Sequence, residues 1–448
     1  MCNMIGLDIG TTSISAVKLD AMTGAVLQTY TIANESFLQT EHSWERIQDP
    51  EVIIDAACGL LDEILESCKD AAVIGLTGQM HGIVYVDADG KSVSPLYTWQ
   101  DGRGNIPCKD GKSICRTLTE KYGRNFYSGY GLITHLYNQR NGLVPKQAAA
   151  VCTIMDYLGM VLTGRKAPLI HTSNAASLGF YDIAQSAFEK EMLESECVDC
   201  GILPEITAAV SVLGYYKGIP VTVAIGDNQA SFMGAVHHAK EEILINIGTG
   251  GQVSMLSDKI LTGEDIETRP FMEDTYLAVG ASLCGGRAYA SLAKFFNECA
   301  SVFGVNDPDA YAVMDRLLSG YQNPERLYVD TTFDGTRDHP ERRGMIRNLT
   351  TENFDPASLT YGVLDGITEE LYQRYRTMLN GETPKHCIMI GSGNGIRKNV
   401  HLQKIAEEKF AMKLKLSDRQ EEAACGAAIA GFTAIGQMTW KQAIGIQD

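Results

Sequence analysis

The sequence predicts an α/β protein made of two similar domains, and three observations lead there. Two strand–turn–strand units of one form open its halves. Residues 5–9 run through Asp8-Ile9-Gly10-Thr11-Thr12 into 14–19, and residues 241–246 run through Asn246-Ile247-Gly248-Thr249-Gly250 into 252–256. Short apolar runs also end in glycine-bearing loops, where α/β folds tend to place ligands. These are 72–76 before Thr77-Gly78, 221–225 before Gly226-Asp227, and 387–390 before Gly391-Ser392-Gly393-Asn394-Gly395. Finally, 448 residues suit two or three domains. The 44 glycines are about a tenth of the chain against a usual ~7%, which points to tight turns or close backbone approaches. The duplication places the boundary near 233–242, giving domains 1–237 and 238–448.

The elements between follow in order. Pro50 opens a helical pattern carried by Val52, Ile53, Ala56, Ala57, Leu60, Leu61, Ile64 and Leu65. Helices are expected over 291–303, 308–318, 359–379 and 399–410, a strand over 413–416, and an Ala/Gly-rich helix over 421–435. The uncharged stretch 423–440 is long enough to raise a transmembrane question. Its Ala and Gly content, with Thr433, Gln437 and Thr439, reads instead as a packed core helix.

Charge excludes several classes. Lys plus Arg number 38 against 55 Asp plus Glu, a net charge of −17, whereas nucleic-acid and anionic-membrane binders want a basic surface. No basic segment precedes the first apolar run, which Asp8 interrupts, so no signal peptide is read. The 12 cysteines are scattered through a chain too large to need staples, as expected of reduced thiols in a cytoplasmic protein. Cys197-Val-Asp-Cys200 has neither a second pair nor a His cluster beside it, and reads as two incidental thiols rather than a zinc site.

The N-terminal turn sets the carboxylate of Asp8 beside Gly10, Thr11 and Thr12. Such a turn aims consecutive N–H groups and hydroxyls into one small volume suited to phosphate oxygens, and Asp8 could hold Mg²⁺ through water. By itself it could equally be an ordinary hairpin turn; the second turn, at Gly248, Thr249 and Gly250, tips the reading toward two phosphate loops. The loop with Gly391, Gly393 and Asn394 lets backbone approach a flat ligand closely. It lacks the Gly-Lys-Ser/Thr ending of a Walker A loop, and the first strand leads to another strand rather than a dinucleotide-binding helix.

These two turns resemble the phosphate motifs of the superfamily containing sugar kinases, heat-shock chaperones and actin. Gly75-Leu-Thr-Gly-Gln-Met-His-Gly82, Gly226-Asp-Asn-Gln-Ala230 and Gly391-Ser-Gly-Asn-Gly395 resemble the FGGY carbohydrate kinases, over about 5–435. Thr98-Trp-Gln-Asp-Gly-Arg103 is similar to the sedoheptulokinase branch. The resemblance implies two actin-like, ribonuclease-H-like domains with the active site in a cleft between them. It gives Asp227 the role of catalytic base, which suits a carboxylate at a strand end accepting a hydroxyl proton. Asp227 is also a second candidate for the metal. Asn228, Gln79, Met80 and His81 fall at sugar-contacting positions. His81 offers a donor and an acceptor to a polyol, and Met80 can pack on its carbon chain. Trp99, Asp101 and Arg103 complete the pocket, although Arg103 could instead pair with Asp101. The stretches 279–287 and 335–344 match family segments with no assigned contact. Ser392 and 395–398 depart from the pattern of many relatives.

The expected function is ATP-dependent phosphorylation of a primary hydroxyl of a ketose, foremost sedoheptulose, with ATP and Mg²⁺ and a closing cleft that excludes water. Xylulose or another polyol is the alternative substrate. A non-catalytic actin-like scaffold is the alternative of another class, against which both Asp227 and the 79–82 constellation speak. A homodimer is compatible with the sequence.

Overall fold

The computed structural model describes residues 2–108, 111–305, 309–322 and 324–446. Two compact units emerge. The first is Met1–His237 with Arg269–Thr275 and Arg419–Asp448; the second is His238–Thr268 with Tyr276–Asp418.

In the first unit, the apolar strand Asn3–Ile9 is buried along almost its whole length. It pairs antiparallel with Ser13–Asp20, Ile9 opposite Ile14, and parallel with Ala71–Gly78, Ile9 level with Gly78. The sheet runs in the order Val212–Tyr216, Ile219–Thr222, Ala71–Gly78, Asn3–Ile9, Ser13–Asp20, Val26–Ala33, and Ile225–Gly226 also lies parallel to Ala71–Gly78. Three parallel strands therefore end side by side at Ile9, Gly78 and Gly226. Side chains alternate between the faces of a strand, so Ile5, Leu7 and Ile9 join one core with Ile53, Leu61, Ile64 and Leu158 from the helices Pro50–Ser67 and Ile154–Thr163. Asp49 caps the first of these helices, accepting from the N–H groups of Glu51 and Val52.

The opposite face carries Gly6 and Gly75, level with each other in adjacent strands. A Cβ on Gly6 would stand 1.9 Å from the carbonyl oxygen of Ala424, and one on Gly75 1.8 Å from that of Ala427. The Ala/Gly-rich helix, observed as Glu422–Ala434, lies against this side-chain-free seat. Arg419–Asp448, which lies within the expected second domain, packs with the first unit, because a helix of small residues can lie only where strand glycines let it come close. Among the described residues, no helix is long and apolar enough to cross a membrane, and this one is buried from Ala424 to Phe432.

The second unit repeats the plan. Glu242–Ile247 pairs antiparallel with Gly251–Ser257 and parallel with Ile388–Ser392. Its sheet runs Ile266–Pro270, Tyr276–Ser282, Gly251–Ser257, Glu242–Ile247, Ile388–Ser392, Lys413–Leu416. The long helix Pro356–Leu379 supplies Leu364, Ile367, Leu371 and Tyr375 to its core.

Several local expectations differ, and the helix expected over 291–303 is observed as Gly285–Val302. The strand expected over 221–225 is broken into Ile219–Thr222 and Ile225–Gly226, and Asp227 begins the helix Asp227–Ala235 rather than sitting in a loop. Gly391 is a strand residue, within Ile388–Ser392. The helix expected over 308–318 is observed as Ala310–Leu318; Pro308 lies outside the described residues. All twelve cysteines are free.

Candidate active site

The adjoining strand ends bring Asp8 and Asp227 together in the first unit. Thr77 Oγ1 donates to the carbonyl of Ile225 at 2.8 Å, and Ser173 Oγ accepts the N–H of Gly226 at 3.0 Å, fixing the backbone that precedes Asp227. Asn174 donates to the carbonyl of Ala224 and to the buried Asp156 behind it. Burial pushes the Asp156 carboxyl up to about 7, against the hydrogen bonds from Thr153 and Asn174.

Asp8 is pushed up to about 7 by burial, then by the charges of Asp227 and Glu421. Its Oδ1 is buried with no hydrogen-bond partner. Burial raises Asp227 too, opposed by the Arg269 charge and by the hydrogen bonds from Asn228. An orphaned anionic oxygen beside two further carboxylates fits a divalent cation. Among the described residues, no group of three or more His, Cys, Asp or Glu is arranged to hold a metal ion.

His81 lies next to the end of Ala71–Gly78 in a left-handed conformation, φ 73°, with Gly82 N–H bonded back to the Met80 carbonyl at 2.9 Å. Such a γ-turn is strained and persists only where its surroundings hold it. Here Ser177 accepts the His81 N–H, and its carbonyl meets Nδ1 at 2.8 Å. The ring stacks on Tyr130 with centroids 4.5 Å apart. A carbonyl only accepts, so Nδ1 carries the proton. Gln79 is held otherwise: its Nε2 donates to Gln48 Oε1 at 2.9 Å, and its Oε1 accepts from Thr11 Oγ1 at 3.3 Å. Thr11 Oγ1 in turn accepts from Trp99 Nε1 at 2.9 Å. Thr11, expected at phosphate, thus uses its side chain in the group that includes Gln79 and the half-exposed Trp99. Its neighbour Thr12 is exposed and Gly10 accepts from Asn34.

Met80 and the Asp101–Arg103 pair lie deeper than expected. Met80 is 4% exposed and belongs to the core, its thioether under Gly226. Asp101 receives Arg103 Nε at 2.6 Å and Nη2 at 3.1 Å, and the N–H of Arg46. The Arg103 guanidinium also donates to Asn138 and lies 4.3 Å from the Tyr97 ring centre. Both side chains are buried, so of the two readings of Arg103 the geometry favours pairing: they brace the loop that carries Trp99.

In the second unit, a cleft of about 1040 Å³ brings together Gly248, Thr249, Gly393 and Asn394 with Arg287, Tyr289, Lys398 and Asn399. Gly250 and Gly391 do not line it. Gly250 packs against the Ser282 carbonyl, and Gly391 under Leu414 and Leu416. Sequence reasoning missed Tyr289, Asn399, Gln48, Asn174 and Arg269. Long-range hydrogen bonds bring in Gln48, Asn174 and Arg269, and no local motif marks these three.

Residues 3–234 match the N-terminal domain of the FGGY family of carbohydrate kinases, and residues 243–435 its C-terminal domain. The chain belongs to this family. It is therefore an ATP-dependent sugar phosphotransferase. It is 25% identical to sedoheptulokinase of Mus musculus, covering 95% of this chain and 96% of that one. It is equally 25% identical to xylulose kinase of Lactococcus lactis subsp. lactis, over 96% and 88%. Among solved structures, xylulose kinase from Rhodospirillum rubrum superposes with a TM-score of 0.84 at 21% identity over 99% of this chain and 92% of that one. Glycerol kinase of Plasmodium falciparum does so with 0.82 at 18% over 100% and 93%. These similarities confirm the expected actin-like ATPase fold with its two sheet-containing domains.

Proposed function

We propose that the chain phosphorylates a primary hydroxyl of a ketose, with sedoheptulose the first candidate. One observation carries the chemistry: Asp227 heads a helix beside Asp8, at a backbone fixed by Thr77 and Ser173, where it can take the proton of an attacking hydroxyl. His81, Gln79, Trp99 and Asn228 are the sugar contacts in this reading, with Asp101 and Arg103 supporting the wall and Met80 its floor. The turn at Gly10, Thr11 and Thr12 offers backbone N–H groups to phosphate. Gly248, Thr249, Gly393 and Asn394 hold the nucleotide, Gly250 and Gly391 shaping the backbone around it. Mg²⁺ held by Asp8 through water, with Asp227 as second candidate, would neutralise charge on the transferring phosphate.

Sedoheptulose is favoured by full-length similarity to two mammalian sedoheptulokinases. Xylulose is the second reading, supported by similarity to xylulose kinases in sequence and fold. The test is ADP release across four- to seven-carbon ketoses. Sedoheptulose is expected to give the highest kcat/KM. A preference for xylulose would replace the substrate, and release that ignores the sugar would remove the kinase reading.

A further inference from the structure

We propose that Arg269 is a positioning residue for the reaction: through the side-chain amide of Asn228 it fixes the orientation of the Asp227 carboxylate. The inference rests on the reading of Asp227 as the base.

Arg269 lies 42 positions beyond Asp227, past the start of the second unit's sequence, yet it belongs to the first unit with the short segment Arg269–Thr275. That segment is pinned there. Gln229 Nε2 donates to the Pro270 carbonyl at 2.8 Å. Phe271 is buried, edge-on to Phe232 at 5.7 Å and to Trp440 at 6.1 Å. The buried Arg269 then donates Nη1 to Asn228 Oδ1 at 2.5 Å, and Asn228 Nδ2 donates to Asp227 Oδ1 at 3.2 Å.

The direction of this relay follows from its chemistry. A guanidinium can only donate and a carboxylate can only accept, so the amide between them has one workable orientation, oxygen to Arg269 and nitrogen to Asp227. Flipped, it would set donor against donor and acceptor against acceptor. Without Arg269 that preference halves, and the amide can turn to serve Asp227, a sugar hydroxyl or water in several ways. Asp227 Oδ1 is engaged by this relay, which sets the orientation of the carboxylate. Asn228, expected as a sugar contact, is thus first the link between Arg269 and Asp227, with its second amide hydrogen remaining for a hydroxyl.

The test is steady-state kinetics of Arg269→Met, Arg269→Lys, Asn228→Ala, Asn228→Asp and the Arg269→Met/Asn228→Ala double variant, with ATP and both sedoheptulose and D-xylulose. Misorientation of a reacting group predicts a loss in kcat of about 10- to 100-fold for Arg269→Met, with the KM for ATP within about two-fold of wild type. Arg269→Lys should recover part of the loss, since an ammonium can still donate to Asn228. Asn228→Asp keeps a partner for Arg269 but removes the donor facing Asp227, so it should lose activity while staying folded. The double variant should be no slower than Asn228→Ala alone. Additive losses, or a full kcat in Arg269→Met, would overturn the proposal. Asp227→Asn separates the two readings: if it is active, the base assignment fails, whereas an inactive Asp227→Asn beside a fully active Arg269→Met removes only the relay. Thermal unfolding of the same set needs no substrate. If neither ketose reacts, non-additive melting shifts support the relay and additive ones overturn it.

Discussion

The two units share one topological plan, a hairpin whose first strand also pairs in parallel with a later strand, but they hold their turns by different means. In the first unit the turn at Gly10–Thr12 is wired by side chains. Asn34 reaches the Gly10 carbonyl, Gln48 reaches the Thr11 carbonyl, and the Thr11 hydroxyl joins Gln79 to Trp99. In the second unit the turn at Gly248–Gly250 is held by backbone. Gly286 N–H bonds to the Gly248 carbonyl and Arg287 N–H to that of Thr249, at the start of the helix Gly285–Val302. Glycine permits that approach, since a Cβ on Gly286 would lie 2.3 Å from the Gly248 oxygen. The strand ends differ likewise: Asp8 is an orphaned, desolvated carboxylate, while Asn246, the equivalent residue, is neutral and donates to Ser392 at 3.2 Å. The strand plan is shared, with polar side chains holding one turn and backbone hydrogen bonds the other.

Copying the second unit into the first should have the largest effect. Asp8→Asn removes a carboxyl whose folded value of about 7 exceeds the unfolded 3.8. A raised carboxyl stabilises the protonated fold, so wild type loses stability as pH rises from about 4 to about 7 and stays low above it. The variant should match wild type near pH 4 and exceed it at pH 8 by no more than ~4 kcal/mol, in thermal unfolding without divalent cation. An equal difference at both pH values would break the contrast in electrostatics. The gain in stability should come with loss of phosphorylation.

A smaller effect separates the two sheets. Gly75→Ala drives a methyl into the Ala427 carbonyl and should cost about 1–3 kcal/mol or more. Gly391→Ala meets side chains and no backbone, Leu416, Leu414 and Ile396 at 3.3, 3.4 and 3.5 Å, which can move. Equal melting temperatures for the two variants would show that the helix Glu422–Ala434 does not depend on its glycine seat.

The smallest effect sharpens the contrast between the turns. Thr11→Val keeps shape but strands Trp99 Nε1 and Gln79 Oε1, a loss of about 1 kcal/mol expected in the KM for sugar. Thr249→Val leaves its backbone anchor intact and should spare the sugar KM. If Thr11→Val instead weakened only ATP, its hydroxyl would belong to phosphate.

The fold was legible because its signals are local. Apolar runs, the paired Gly/Thr turns and the Pro50 helix each follow from neighbours in sequence, and the motif resemblance extended them to the whole chain. The placement of the candidate site was legible where a motif lies at or next to a strand end, at Asp8, Gln79, His81 and Asp227. Burial was not. Asp101 and Arg103 read as pocket residues because the motif resemblance sets them beside Trp99, and their pairing with each other, Asn138 and the Tyr97 ring makes their burial sustainable. Met80 read as a ligand contact and is core, because a strand end does not reveal which face is covered.

By itself the sequence determined the two α/β halves, their glycine turns and the carboxylates at the strand ends, since these depend on spacing that short-range geometry enforces. The tertiary structure alone decided which distant residues complete the site. Arg269 reaches Asn228 because Pro270 and Phe271 dock on the first unit, and the helix Glu422–Ala434 returns to that unit because Gly6 and Gly75 leave it room. Both depend on packing between segments tens to hundreds of residues apart, where complementarity of shape and hydrogen bonding selects the partner and no local pattern records the choice.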